Sequence, residues 1–294
     1  PLPKQRGKSA PQYLEKGLIL NQRFRLDSLI GGGGFGQIFR SVNEDTQEEV
    51  AVKVEPICVE AGRMVLEQRV LALLLSSPFT PTLYASGSVK NYNYIIMEKL
   101  GRNVTDLRKK QKSRRLSLPF VCRVATHVTN ALQLLHNIGF LHRDIKPSNM
   151  CIGLKDKSHT IVLIDFGMTR MFRNEKGEVR TPRSYAAFRG TMRYVSLNVH
   201  RRREQGTGDD LVALFYTLVE LIEGQLPWRM ITKPEAIVKE KETIPFQQFA
   251  RRCPLNFKQR TFYVKEESSD DFCHYSSQQQ ISDESDEEVA GKSL

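Results

Sequence analysis

His142-Arg143-Asp144-Ile145-Lys146-Pro147-Ser148-Asn149 is the stretch on which the reading of this chain turns. It presents a carboxylate at Asp144, a cation two positions on at Lys146 and an amide five positions on at Asn149. A carboxylate in such a loop can orient a hydroxyl for attack and accept its proton. A neighbouring cation can neutralise a transferring phosphoryl group, and an amide carbonyl is a hard oxygen donor for Mg²⁺. A merely basic surface loop has no need of these three types at these spacings. Sixteen residues after Asn149 comes Ile164-Asp165-Phe166-Gly167. The run Ile161–Ile164 reads as a short apolar strand, so Asp165 stands at a strand end, where it suits a second Mg²⁺ ligand facing phosphate oxygens. Phe166 is expected to pack inward and fix that carboxylate.

Working back toward the N-terminus, Gly31-Gly32-Gly33-Gly34-Phe35-Gly36 matches GxGxxG. Glycines let a backbone approach phosphate oxygens and turn its N–H groups toward negative charge. Taken alone, the motif fits any glycine-rich turn. A dinucleotide-binding loop would run into a helix. Here Gln37–Val42 reads as a strand, which makes the loop a hairpin lid over ATP phosphates. Val50-Ala51-Val52-Lys53 follows, apolar on both faces. A lysine there is costly to bury without a partner. Its ammonium can hold α- and β-phosphate oxygens, with Glu67, fourteen residues on, as anchor; Glu60 is the competing choice. An apolar sandwich for the adenine base is expected from Ile38 and Ala51 above and Cys151 below, with Ile30, Gly31, Gly33 and Gly36 in the lid. Met97 is placed at the back of that pocket, and Glu98 to Leu100 form the strand that hydrogen-bonds adenine.

The rest of the chain supports two lobes. Phe24–Ile30, Gln37–Val42, Val50–Val54 and Tyr92–Met97 read as strands. Arg63–Leu75 reads as a helix, with Met64, Leu66, Val70, Leu71, Leu74 and Leu75 at spacings of three and four. A helical stretch follows near Asp106, then a long helix from Pro119 to Asn137 with Gly139 beyond its end. Asp209-Asp210-Leu211 opens the most apolar helix, and Asp210 is expected both to cap it and to hold the catalytic-loop backbone. The expected organisation is a flexible basic arm over 1–23, a small lobe over 24–100, a larger helical lobe over 101–258, and a disordered acidic tail over 259–294. The fold class is α+β. Of the net charge of +11, residues 266–294 contribute −8 and residues 1–265 contribute +19. Such a body attracts acidic partners. Lysines and arginines are not interleaved with stacking aromatics, so no nucleic-acid partner is expected. No apolar run is long enough for a bilayer, and the five scattered cysteines form no CxxC pair.

Together these motifs resemble the protein kinase superfamily. The finer resemblance is to the casein kinase 1 group and, within it, the tau tubulin kinase-like family. It is carried by GGGGFG (31–36), FLHRDIKPSN (140–149), RGTMRYVS (189–196), SLNVH (196–200), the helix of Asp209–Glu223 and GQLPWR (224–229). Most kinases have Ala-Pro-Glu where this chain has Ser196-Leu197-Asn198, a replacement that marks the casein kinase 1 group. The resemblance implies a bilobal kinase fold, ATP with Mg²⁺, and transfer to serine or threonine. It gives Asp144, Lys146, Lys53 and Glu67 the catalytic roles and Asn149 and Asp165 the metal. It further implies acidic or already phosphorylated protein substrates, cytoskeleton-associated ones among them. A monomer is expected, in the cytoplasm or also the nucleus. Arg189, Arg193, Arg229 and Lys233 lie on matching segments and are candidates for an anion site. The resemblance departs beyond Pro254–Lys258, where closing helices of the large lobe are expected to be missing. A scaffold that binds nucleotide without transfer is the alternative, but such chains usually lack one of the six residues kept here.

Overall fold

Val50, Val52 and Val54 alternate with Ala51, Lys53 and Glu55, so one strand must be covered on both faces. The fold satisfies this with a different layer on each side. The computed structural model describes residues 11–32, 36–58 and 62–254. Strands β1 (Ile19–Leu20), β2 (Phe24–Gly32), β3 (Gln37–Asn43) and β4 (Glu49–Pro56) are followed by helix α1 (Arg63–Leu73). Next come β5 (Leu83–Val89), β6 (Tyr92–Glu98), α2 (Val104–Lys110) and α3 (Leu118–Asn137). The short strands β7 (Phe140–Leu141), β8 (Met150–Ile152), β9 (Ile161–Leu163) and β10 (Arg170–Met171) precede α4 (Leu197–His200) and α5 (Thr207–Glu223). Helices α6 (Pro234–Thr243) and α7 (Phe246–Phe249) close the described part.

The first six strands form one antiparallel sheet in the order β1-β2-β3-β4-β6-β5. Its outer face buries Phe39, Val50, Val52, Val54 and Ile96 together with Leu14, Leu20, Phe24 and Leu26. This corrects the expected flexible arm over 1–23: residues 11–20 are docked. The outer face of β4 needs an apolar cover, and Leu14 and Leu20, 1% and 2% exposed, supply it. Tyr13 stacks on Tyr92 with ring centroids 5.1 Å apart. The buried Gln37 amide accepts from the Tyr13 N–H (2.8 Å) and donates to the Pro11 carbonyl (2.7 Å), tying the docked segment to the root of the glycine-rich hairpin. The expected tail over 259–294 lies outside the described residues.

In the large lobe, Val121, Val124, Val128, Ala131, Leu132 and Leu135 form the buried stripe of α3. It packs against α5, whose buried face includes Ala213, Leu214, Leu218, Val219 and Leu221. Strand β5 escapes sequence reading because it is an edge strand of mixed character, Leu-Tyr-Ala-Ser-Gly-Ser-Val. Helix α1 stops at Leu73, two residues short of expectation, and Leu75 is exposed.

A charged network is buried in this lobe. Glu220, fully buried, accepts from the Tyr194 hydroxyl (2.6 Å) and pairs with Arg108 and Arg193, each at 3.3 Å. Arg108 also donates to the Gly224 carbonyl at 2.6 Å. Removing the carboxylate strands a buried guanidinium. Glu220→Leu is therefore expected to destabilise the lobe by about 3–5 kcal/mol in denaturant unfolding. A change within about 0.5 kcal/mol would contradict the network's structural role.

Candidate active site

Antiparallel partners share a face. The register pairs Gly31 with Ile38, Ile38 with Lys53 and Ala51 with Met97. Ile38, Ala51, Lys53 and Met97 are thereby aligned on the inner face of the sheet, which looks toward α1 and the large lobe. Ile30, Gly31 and Ile38 are half-buried on the hairpin that overhangs it. Gly33 and Glu60 lie outside the described residues. Gly36 cannot be replaced without displacement: a Cβ there would stand 2.5 Å from the Val54 carbonyl and 2.7 Å from Glu55 Cγ.

Lys53 settles its partner. Its Nζ lies 2.6 Å from Glu67 Oε2, 3.0 Å from Asp165 Oδ1 and 3.6 Å from Glu55 Oε1. Burial alone would strip the proton from this lysine, but the Asp165, Glu67 and Glu55 carboxylates outweigh it and raise its pKa. Arg63, at the start of α1, reaches the same Asp165 oxygen at 3.8 Å. Among the described residues the inner site thus brings together two cations and three carboxylates. Burial opposes ionisation of Asp165, yet Lys53 and Arg63 hold its carboxyl well below the usual range. Glu55 and Arg63 were missed in the sequence because only the fold brings Glu55 to Lys53 and Arg63 to Asp165.

Asp144 is 3% exposed. Lys146 Nζ lies 2.5 Å from its Oδ2, and the Thr191 hydroxyl donates to its Oδ1 at 2.7 Å. Lys146 also reaches Thr191 Oγ1 at 3.3 Å. Thr191 gets there because Gly190, at φ +114°, lies against the catalytic loop: a Cβ on it would meet the Arg143 carbonyl at 2.6 Å. Asn149 donates its amide N–H to the Asp144 carbonyl (2.9 Å) and carboxylate (3.3 Å). Its Oδ1 accepts no hydrogen bond among the described residues.

The loop is held from behind by Asp210, as expected, but the helix cap also expected of Asp210 is made by Asp209, whose carboxylate accepts from the Gly206 N–H at 2.7 Å. The Asp210 carboxylate accepts from the backbone N–H groups of His142 and Arg143, both at 2.8 Å, and from His136 at 2.9 Å. This pins Arg143 at φ +67°, an uncommon conformation for a bulky residue. Burial lowers the His142 pKa, so the ring is neutral; its Nε2 lies 3.2 Å from the Ile164 carbonyl and its edge packs on Phe166. Phe166, 1% exposed, packs inward as expected. The hairpin β8–β9 and the Ile164 N–H to Asn149 carbonyl bond (2.9 Å) place Asp165 beside Asn149 despite their separation in sequence.

The residues fit Mg-ATP on their donor chemistry. Asn149 Oδ1 and the Asp165 carboxylate are hard oxygen donors carried on neighbouring stretches of backbone. Ala51 and Cys151, 8% and 7% exposed, supply apolar surface on the two lobes, and burial pushes the Cys151 thiol up to about 12, which keeps it neutral. No hydrogen bond among the described residues uses the backbone N–H of Leu100, which leaves it for a base edge. The Glu98 carboxylate is taken by Thr82 and by Lys157 at 2.8 Å, and its N–H donates to the Thr82 carbonyl at 2.9 Å.

The four anion-site candidates separate. Arg193 is committed to Glu220, whereas Arg229 is half-buried and Lys233 exposed. Arg189 lies near Arg143, whose pKa is lowered to about 10 by burial and by the like charges of Arg170, Arg189 and Arg183. Glu204 answers this cluster, pairing with Arg170 at 2.9 Å and Arg183 at 2.5 Å.

A family model described as the protein kinase domain matches residues 24–283. A probable serine/threonine-protein kinase of Dictyostelium discoideum is 38% identical over 261 residues, 84% of this chain and 53% of its own length. A putative casein kinase I of Caenorhabditis elegans is 41% identical over 223 residues, 74% of this chain and 65% of its own length. The chain spans less than two thirds of the length of either relative.

Proposed function

The chain belongs to the protein kinase domain family, and from that premise we propose that it transfers the γ-phosphoryl group of Mg-ATP to serine and threonine hydroxyls of protein substrates. The observation that carries this reading is the simultaneous engagement of Lys53 with Glu67 and Asp165, and of Asp144 with Lys146 and Thr191. Transfer to a hydroxyl needs both groups formed at once. Asp144 receives the acceptor hydroxyl and takes its proton. Lys146, within reach of both Asp144 and Thr191, places positive charge beside the entering oxygen. Lys53 holds phosphate oxygens, and Glu67 fixes its direction. Bound between Asn149 and Asp165, Mg²⁺ would supply charge neutralisation on the phosphates.

The finer reading is a kinase of the casein kinase 1 group, similar to tau tubulin kinases. It is supported by Ser196-Leu197-Asn198 and by the name of the Caenorhabditis relative. Acidic or primed substrates, cytoskeleton-associated ones among them, are the proposed class. The +19 body, the Arg143–Arg170–Arg183–Arg189 cluster and the exposed Lys233 support it. We place the protein in the cytoplasm, or also the nucleus, as a monomer.

The test is transfer of labelled phosphate from Mg-ATP to casein and to a microtubule-associated protein, followed by phosphoamino-acid analysis. Phosphoserine and phosphothreonine are expected. A folded chain that binds Mg-ATP and transfers nothing would instead be a scaffold.

A further inference from the structure

Lys241 lies on α6, away from the nucleotide and the catalytic loop, and is only 1% exposed. Its Nζ donates to the Val195 carbonyl (2.7 Å) and the Met192 carbonyl (3.2 Å), and stands 3.1 Å from His200 Nε2. The rings of Tyr216 and Trp228 close the cage, with centroids 5.0 and 5.3 Å from Nζ. Among the described residues no carboxylate pairs with it. On the facing loop and α5, Arg193 and Glu220 are committed to each other, and Glu220 also to Arg108 and Tyr194. A buried ammonium held by neutral groups alone is an expensive way to fill a core. A methionine would fill the same volume without that cost.

What the lysine holds is informative. Three of the four carbonyls from Met192 to Val195 are captured from the α6 side: two by Lys241, and that of Arg193 by Trp228 Nε1 at 2.8 Å. The same loop begins with Thr191, which donates to Asp144, and with Gly190, which lies on the Arg143 backbone. The loop is therefore clamped between the proton-accepting carboxylate on one side and Lys241 on the other. Through Thr191 it borders the carboxylate that would receive an acceptor hydroxyl.

We propose that Lys241 is a positioning residue for the protein substrate, fixing the Thr191–Val195 loop through the carbonyls of Met192 and Val195 and acting on the reaction only through that loop. The inference rests on the protein-kinase function proposed above. Its charge state adds a signature. Burial pulls the Lys241 pKa down to about 7. His200 is pulled to about 4 by burial, Lys241 and Arg202, and burial raises the Tyr216 pKa, so both are neutral at pH 7. Below pH 7 the carbonyls are held by an ammonium; above it they are held by an amine, whose hydrogen bonds are weaker.

The experiment is steady-state kinetics of the full chain and of Lys241→Met, with a serine peptide lacking histidine and phosphate, between pH 6 and pH 8. In the variant at pH 6.5, KM for the peptide is expected to rise about tenfold to hundredfold, the worth of two charge-assisted hydrogen bonds. KM for ATP should stay within about twofold, and the thermal midpoint within about 3 °C, because the lost bonds are offset by relief of a buried charge. In the parent, the peptide KM should rise severalfold from pH 6 to pH 8; in the variant it should be flat. Lys241→Gln, which keeps a shorter donor, should fall between the two, and with the parent's pH profile it decides the matter if the methionine variant does not fold. An unchanged peptide KM, an equal rise in the ATP KM, or parallel pH profiles would overturn the inference while leaving the kinase function standing. No transfer by the folded parent would remove that function, and this inference with it.

Discussion

Asp144→Asn is expected to slow phosphoryl transfer by about two to four decades, the worth of a positioned general base, while leaving ATP binding largely intact. The substitution keeps size and shape, so the loop that Asp210 holds by two backbone N–H groups should persist. What changes is the acceptor. Thr191 donates to Oδ1 and Lys146 to Oδ2, and the carboxylate between them is the group positioned to take a proton. An amide at that place presents a donor to Lys146 and has negligible basicity toward a hydroxyl. The nucleotide-facing groups Lys53, Glu67 and Asp165 are untouched. Initial rates at saturating substrate, with ATP affinity measured separately, would check both halves. A rate equal to the parent's would sink the assignment of Asp144.

Asp165→Asn should abolish the Mg²⁺-dependent part of nucleotide binding, a loss of about a hundredfold or more where a charge-assisted contact of about 3 kcal/mol is removed. The carboxylate is the charged member of the Asn149–Asp165 pair, and Lys53 and Arg63 keep it ionised throughout the neutral range. The variant should nonetheless fold. The cluster of Lys53, Arg63, Glu55, Glu67 and Asp165 has one carboxylate in excess, so its loss leaves two cations facing two carboxylates. Calorimetric titration with ATP, with and without Mg²⁺, distinguishes the outcomes. An unchanged Mg²⁺ dependence would contradict the role of Asp165, whereas a large loss in Mg²⁺-free binding as well would mean that the substitution acts through Lys53.

Much of this site is local, and local features are legible. The carboxylate, cation and amide of 142–149 lie within one turn of chain. The stripe of α3 repeats at the helical period, and β4 alternates at the strand period. These patterns need no knowledge of what packs where, because the geometry of one element imposes them. Motif order then fixed the two-lobed arrangement, since a glycine hairpin, a buried lysine and a catalytic loop have a common use only when brought around one nucleotide.

Tertiary structure decided what depends on partners distant in sequence. The polar, basic character of residues 1–16 suggested an arm, but Leu14 and Leu20 are needed to cover the outer face of β4. Thr191 reaches Asp144 only because Gly190 permits the approach, forty-six residues beyond that aspartate. Glu220 reads as one acidic residue in an apolar helix until Arg108, Arg193 and Tyr194 converge on it. Lys241 reads as a solvated lysine among the charges of Lys-Glu-Lys-Glu until the fold buries it under the Thr191–Val195 loop. A side chain's chemistry states what kind of partner it requires, and only the folded chain determines which residue meets that requirement and at what distance.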